Sequence, residues 1–360
     1  MTDITGPFLS ANLCAAVRSH QLTSDHPTIQ PCHDRTFEPS GLRPAGLELD
    51  EERRSASIVV AVSLREAEIV GAHMIYVVMP VKNRLSFTRQ CLADLAVQGH
   101  TNVTTIVVDD GSSDGTAEVL AREFPPVVVL SGAGDLWWTR ATNLGVTWAL
   151  NRAADADYVL TLNNDTRCAG DYLSELLAAA SHYRPALVGS LAVDHRGLVV
   201  DGGVRVNWPT AKFELLGRGL AATDLALRRP SPVTVDVLPG RGTLIPVEAF
   251  RAVGLFDAVS LPHYGADYEF SRRAASHGYR LLVSYDALLQ VRPDETGLHG
   301  SHGLRSFVGG FTSRRSANNL LYRWRFARAA CPRRYFLPYV AFDTARVVVG
   351  SFRRQVLQRG

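Results

Sequence analysis

Between residues 75 and 183, short apolar runs alternate with stretches of helical periodicity. Residues 75–79 are uniformly apolar and stop at Pro80, which predicts a buried strand. Leu85, Leu92, Leu95 and Ala96 recur at helical spacing and predict a helix over 85–97. The same reading predicts strands at 105–108, 127–130 and 158–162, and helices at 116–124, 139–153 and 172–183. Strands alternating with helices of this length make βαβ units and a mostly parallel sheet. The expected fold class is therefore α/β.

Past Leu187 the alternation loosens. Residues 204–235 are polar and Pro-bearing, with room for hairpins. Gly240-Arg241-Gly242 leads into a strand at 243–246 and a short helix from Glu248. A helix at 264–277 and a late strand at 281–284 follow, and from Arg305 the chain is basic and aromatic at helical spacing. Residues 1–73 show no sustained period and read as a poorly ordered extension. Met74 directly precedes the first strand, so it is a candidate alternative start. Three segments are expected: 1–73, an α/β domain over 74–300, and a basic helical tail over 301–360.

Composition adds little to this, and charge adds more. The 360 residues are 46% hydrophobic and 20% charged, which is ordinary for globular domains. Five dispersed cysteines form no CxxC pair and fit a reducing compartment. Of the net charge of +3, residues 301–360 contribute far more than their share, with twelve arginines and one acid, Asp343. No run of 18 apolar residues exists, so no spanning helix is expected.

Candidate chemistry sits where connections leave the predicted core. Asp109-Asp110-Gly111 follows the second strand, Asn163-Asn164-Asp165 the fourth, and Asp267 and Glu269 open a helix. Ligands of open α/β sheets bind outside the carboxyl ends of strands. A carboxylate there can seat Mg2+ or Mn2+, which takes few protein carboxylates and completes its shell with water and phosphate oxygens. Asp165-Thr166 can equally be a plain cap of the next helix, and Asp109-Asp110-Gly111 a plain turn. No GxxxxGK[ST] loop occurs, and Gly132-Ala133-Gly134 lacks the third glycine of a dinucleotide fingerprint.

The ordered set Pro80-Val81-Lys82-Asn83-Arg84, Asp109-Asp110-Gly111-Ser112-Ser113-Asp114, Asn163-Asn164-Asp165 and Gly265-Ala266-Asp267-Tyr268-Glu269 resembles family 2 glycosyltransferases. The resemblance implies a GT-A (Rossmann-like) fold, a UDP- or dTDP-linked sugar donor, a divalent metal and inversion at the anomeric carbon. It assigns Asp267 as catalytic base, and Pro80, Asn83, Arg84, Asp109, Asp110, Asn143, Asn163 and Asn164 to the donor. Asp165, with His299 or His302, is implied for the metal, and two asparagines stand where the family usually has acids. Trp137, Trp138, Arg241, Glu269 and Arg273 are candidates for the acceptor. The nearest resemblance is to bacterial enzymes that extend surface polysaccharides, often rhamnosyl- or galactosyl-type, which implies a glycan or lipid-linked glycan acceptor. A sugar-nucleotide nucleotidyltransferase is a second reading, weakened because no glycine-rich loop follows the first strand. A non-catalytic sugar-binding or nucleic-acid-binding protein is a third. Arginines interleaved with apolar residues in the tail point to an anionic membrane surface as partner rather than nucleic acid. The expected location is cytoplasmic, peripheral at the inner face of the cell membrane.

Overall fold

The computed structural model describes residues 73–100, 102–228, 231–292, 309–314 and 316–357. The N-terminal extension up to residue 72, His299 and His302 lie outside these described residues.

The chain opens with β1 (Ile75–Val81), α1 (Leu85–Ala96), β2 (Val103–Asp109), α2 (Thr116–Glu123), β3 (Val128–Ser131), α3 (Trp137–Leu150) and β4 (Tyr158–Thr161). All three strand pairings here are parallel: β1 lies between β2 and β4, and β3 flanks β2. Ile75 is level with both Val103 and Tyr158, so the three strands start together, and β4 stops opposite Val78 while β1 and β2 run on to Val81 and Asp109. The period-two alternation of β1 feeds two cores. Ile75, Val77 and Met79 pack with Cys91, Leu92 and Leu95 of α1. Tyr76 and Val78 pack on the opposite face with Ala141, Val146 and Ala149 of α3. Gly145 lets α3 approach that face closely, since a Cβ there would lie 2.5 Å from Val78 Cγ1. With both faces covered, these strands have no polar side, which is why the sequence shows them as solid apolar runs.

The second half is mixed. It contains β5 (Thr166–Cys168), α4 (Tyr172–His182), β6 (Ala186–Val193), β7 (Val199–Asp201), β8 (Val204–Asn207), β9 (Lys212–Leu215) and α5 (Ala222–Arg228). Then come β10 (Val233–Thr234), β11 (Thr243–Pro246), α6 (Val247–Val253), α7 (Ala266–Ser276) and β12 (Arg280–Val291). The sheet order is β10-β12-β6-β11-β4-β1-β2-β3. β11 runs antiparallel between β4 and β6, whereas β6 and β12 are parallel. Two expectations change here. β6 is an eight-residue strand buried throughout, in the region where alternation seemed to fade. β12 has 12 residues, well beyond the strand read at 281–284. The expected hairpin is present as β8–β9.

The basic tail is docked along its described part. It forms α8 (Leu320–Ala330) and α9 (Phe336–Leu357). Phe326, Ala327, Ala330, Cys331 and Tyr339 join the same core as Phe250 of α6 and Phe270 of α7. Arg323 of α8 makes a two-point ion pair with Asp343 of α9, one bond of which is 2.6 Å. The single acid of the tail is thus spent inside the fold.

Candidate functional site

β1, β2 and β4 end on one edge, and antiparallel β11 begins there, with the Gly242 amide donating to the Thr161 carbonyl at 2.8 Å. This edge gathers most of the candidate residues. Asn83 and Arg84 follow β1 in left-handed backbone, at φ 55° and 73°. The strained turn is held from outside. Asn83 N–H donates to Ser112 Oγ at 2.7 Å, and its Oδ1 accepts from Ser113 N–H at 2.9 Å. Pro80 sits in the last part of β1, half-buried, level with Val108.

Asp109 and Asp110 are both buried, at 6% exposure each. Asp109 accepts from the Ser112 amide at 2.9 Å, closing the turn that the sequence allowed. Asp110 reaches across to the next connection. Its two oxygens accept from the amides of Gly134 (2.8 Å), Leu136 (3.0 Å) and Trp137 (3.3 Å). Lys82 Nζ clasps the same segment through the Gly134 carbonyl at 2.5 Å. A buried carboxylate gathering amides in this way fixes the loop that enters α3.

The asparagine–aspartate triplet splits its side chains. Asn164 is buried and donates to Thr88 Oγ1 of α1 at 2.9 Å, so it faces the core. Asn163 Oδ1 accepts from Trp138 Nε1 at 3.3 Å. Asp165 is ion-paired with Arg84 at 2.9 Å, with 15% of its side chain exposed. The triplet runs into β5, so the expected helix cap at Asp165-Thr166 is replaced by a strand antiparallel to β12.

Asp267 lies in the first turn of α7, entered through Gly265 at φ 84°. Its oxygens accept from the amides of Gly240 (2.8 Å) and Tyr268 (2.9 Å). Gly240 has no room for a side chain: a Cβ would lie 2.2 Å from the Trp138 ring. Trp138 thus wedges under the 239–242 turn, which in turn holds Asp267. Burial pushes the Asp267 carboxyl above its ordinary range, while the Gly240 and Tyr268 amides and the Arg241 charge pull the other way. Arg241 also acts on the buried carboxylate of Asp201, and its own buried Nε meets no hydrogen-bond acceptor.

Asp267 lines a cavity of about 350 Å3. Phe213, Tyr264 and Tyr268 come from the core, and Tyr322, Arg323, Phe326, Tyr339 and Asp343 from the tail. Phe213 and Tyr268 are stacked, with centroids 5.8 Å apart and planes 13° apart. Aromatic faces with a few polar groups are what a saccharide pocket requires.

Several sequence assignments find other work. Asn143 engages the Phe256 backbone with both ends of its amide, at 2.8 and 3.1 Å, which ties α3 to the segment after α6. Glu269 is buried and ion-paired with Arg273, which also donates to the carbonyls of Val253 and Leu255. That pair ties α7 to the end of α6 and does not line the cavity. Trp137 packs edge-on to His263 at 5.5 Å. The cavity's tail residues escaped sequence reading because no local spacing connects residues 322–343 with 213 and 267.

A family model described as "Glycosyl transferase family 2" matches residues 76–218, and one described as "Glycosyl transferase family group 2" matches residues 158–340, just over half the chain. The chain belongs to glycosyltransferase family 2. This glycosyltransferase-family chain is also similar to N-acetylglucosaminyl-diphospho-decaprenol L-rhamnosyltransferase from two strains of Mycobacterium tuberculosis. Identity is 27% over 187 residues, covering 46% of this chain and 59% of the relative's length. Among solved structures, GalNAc-T7 with UDP, GalNAc and Mn2+ superposes with a TM-score of 0.52 at 16% identity, over 77% of this chain and 56% of that one. The mannosyltransferase PcManGT from Pyrobaculum calidifontis, with GDP-Man and Mn2+, aligns at TM-score 0.49 and 15% identity, over 82% and 80%. The fold is the GT-A fold.

Among the described residues no cluster of three His, Cys, Asp or Glu is placed to hold an ion. Asp165 offers one carboxylate, already opposed by Arg84. That set fits a cation that brings its own oxygen ligands, as diphosphate-bound Mg2+ or Mn2+ does, and not a cage built by the protein.

Proposed function

We propose that the protein is an inverting glycosyltransferase. It moves a hexosyl group from a UDP- or dTDP-linked donor to a hydroxyl of a lipid-linked saccharide in cell-surface polysaccharide synthesis. The observation that carries this reading is Asp267, a buried carboxylate held by two amides in the wall of an aromatic cavity, its pKa raised by burial. Similarity to a relative named for rhamnosyl transfer onto a diphospho-decaprenol-linked sugar supports the acceptor class.

Asp267 takes the proton of the acceptor hydroxyl as that oxygen bonds to the donor's anomeric carbon. The carbon–oxygen bond to the diphosphate breaks, the electron pair leaves with the nucleotide, and configuration inverts. Two backbone amides orient the Asp267 carboxylate, so the base is positioned before substrate arrives. The nucleoside sits against the edge formed by Pro80, Asn83, Asp109 and Asp110. Arg84, with Asn163 nearby, faces the diphosphate. Asp165 would hold a divalent cation, which would supply charge neutralisation on the departing diphosphate. Arg241 screens Asp267 and contacts acceptor or phosphate. Trp138 acts through the 239–242 turn. The division into an N-terminal extension, a catalytic domain and a basic helical tail is retained, with the tail completing the cavity. The working location is the cytoplasmic face of a membrane, where such acceptors lie.

The test is a thermal-shift panel of UDP, dTDP, GDP and CMP, each with and without Mn2+, followed by product analysis with the stabilising nucleotide's sugars. A ligand at 100 times its Kd adds about 2.7 kcal/mol of stability. Stabilisation by one diphosphate, and transfer lost in Asp267→Asn, are the expected results. No stabilisation by any nucleotide diphosphate would refute the reading.

A further inference from the structure

Helix α9 is apolar on both sides. One side faces the protein: Tyr339, Asp343 and Val347 are buried. Tyr339 packs against Trp208 with rings 5.8 Å apart, and Arg346 donates to the carbonyls of Thr210 and Ala211. The other side faces out. Leu337 is 77% exposed, Phe342 53%, Val349 49% and Phe352 62%, with Val348 at 39%. At about 100° per residue these five positions share an arc of about 140°. The charged residues of α9 up to 352 are Asp343, sealed in its ion pair, and Arg346, held at the edge. A helix on a soluble domain normally presents polar groups on that side.

The frame of this stripe decides its occupant. Exposed Arg333 and Arg334 precede it and exposed Arg353 follows. α8, which packs against α9, also exposes Leu321 and Trp324, with Arg328 5.7 Å from the Trp324 ring. No carboxylate answers these arginines within 301–360, because Asp343 is the only acid there and is buried. A second copy docked through its own stripe would bring arginine against arginine. An anionic lipid surface supplies what the stripe and its frame both lack: an acyl boundary for the apolar side chains and phosphates for the guanidiniums. Among the described residues no helix is long and apolar enough to cross a membrane, so α9 would lie in the interface plane.

We propose that the outward face of α9 inserts into an anionic lipid surface. This deepens the membrane location in the reading above, and names the surface that meets it. The inward face of α9 supplies Tyr339 and Asp343 to the cavity beside Asp267. The lipid and the cavity would then lie on opposite sides of one helix, about 10 Å across. A lipid-linked acceptor needs only that short reach.

The test is flotation of the full chain with vesicles, and it does not depend on transfer activity. Phosphatidylcholine vesicles with and without phosphatidylglycerol are compared at low and high salt. The expected result is flotation with phosphatidylglycerol that weakens with salt, and about a tenfold or greater loss in the triple variant Leu337→Ser, Phe342→Ser, Phe352→Ser. That variant alters exposed positions alone, and unchanged melting temperature confirms its fold. Arg333→Ser with Arg334→Ser should weaken flotation while leaving a residue of salt-resistant binding. Undiminished flotation of the triple variant would overturn the proposal. So would failure of the parent to float, or a parent dimer in sedimentation that the triple variant converts to monomer, which would assign the stripe to a second copy. Loss of nucleotide binding with flotation intact would refute the enzymatic reading and leave this one standing.

Discussion

Asp267 combines three properties that rarely coincide: it is largely buried, it is oriented by two amides, and it opens onto a cavity. Asp267→Asn keeps the shape and removes the proton acceptor, so turnover should fall by about 10²–10⁴. Nucleotide-binding affinity should be unchanged, and comparing single-turnover rates with nucleotide titration checks both. Because burial raises this carboxyl, the acid limb of kcat/KM should lie above the ordinary aspartate value of about 3.9. Rate rises with pH through that limb, since only the ionised form accepts a proton. For stability the sign is opposite. Folding favours the protonated carboxyl, so this stabilisation is complete below the unfolded pKa and is lost as pH rises through the folded one. Asp165→Ala should abolish the Mn2+-dependent part of nucleotide affinity, measured by titration with and without metal. Persisting Mn2+ enhancement would place the cation elsewhere. Carboxylates at this scale were legible because acids at strand ends are conspicuous in sequence. The occupations of Asn143, Asn164 and Glu269 were not, because each is settled by a partner more than three residues away or across the fold.

The turn at Gly240 holds Asp267, and the helix pair α8–α9 walls the cavity beside it. Gly240→Ala must displace the Trp138 ring or the turn, an overpacking cost of about 1–3 kcal/mol. Turnover should fall with it, since the Gly240 amide holds Asp267. Urea unfolding and steady-state rates measure the two effects. Asp343→Ala leaves the Arg323 guanidinium partly buried without its carboxylate, and should cost about 3 kcal/mol in urea unfolding. Elements with a clear period, such as β1, α1 and α4, were readable from sequence. The helix 139–153 was read two residues late, because adjacent tryptophans look like a connection and yet begin α3. β6 was hard to read for the opposite reason: a strand buried on both sides has no alternation to follow. Docking of α8 and α9 was invisible, since an arginine-rich stretch reads as a solvated tail until Asp343 is seen to face Arg323.

At the scale of the molecule, a chain starting at Met74 should retain the sheet and nucleotide binding, because Ile75 already opens β1 and Met74 N–H donates to Asp157 at 3.0 Å. A melting temperature within a few degrees of the full chain checks this, and a larger drop would show that earlier residues support the fold. The parallel half of the sheet follows from the βαβ pattern, whereas the antiparallel insertion of β11 reflects long-range pairing that local pattern does not encode. The cavity beside Asp267 draws one wall from residues 213–268 and the other from residues 316–343. That division has a temporal consequence. A ribosome delivers about 5–20 residues per second, so the sheet through β12 emerges a few seconds before Asp343 does. During that interval the strand edge and Asp267 have been made, yet the helices that close the cavity have not. The nascent chain carries Asp267 before the residues that wall its cavity from the other side are made, and the last helices synthesised close it.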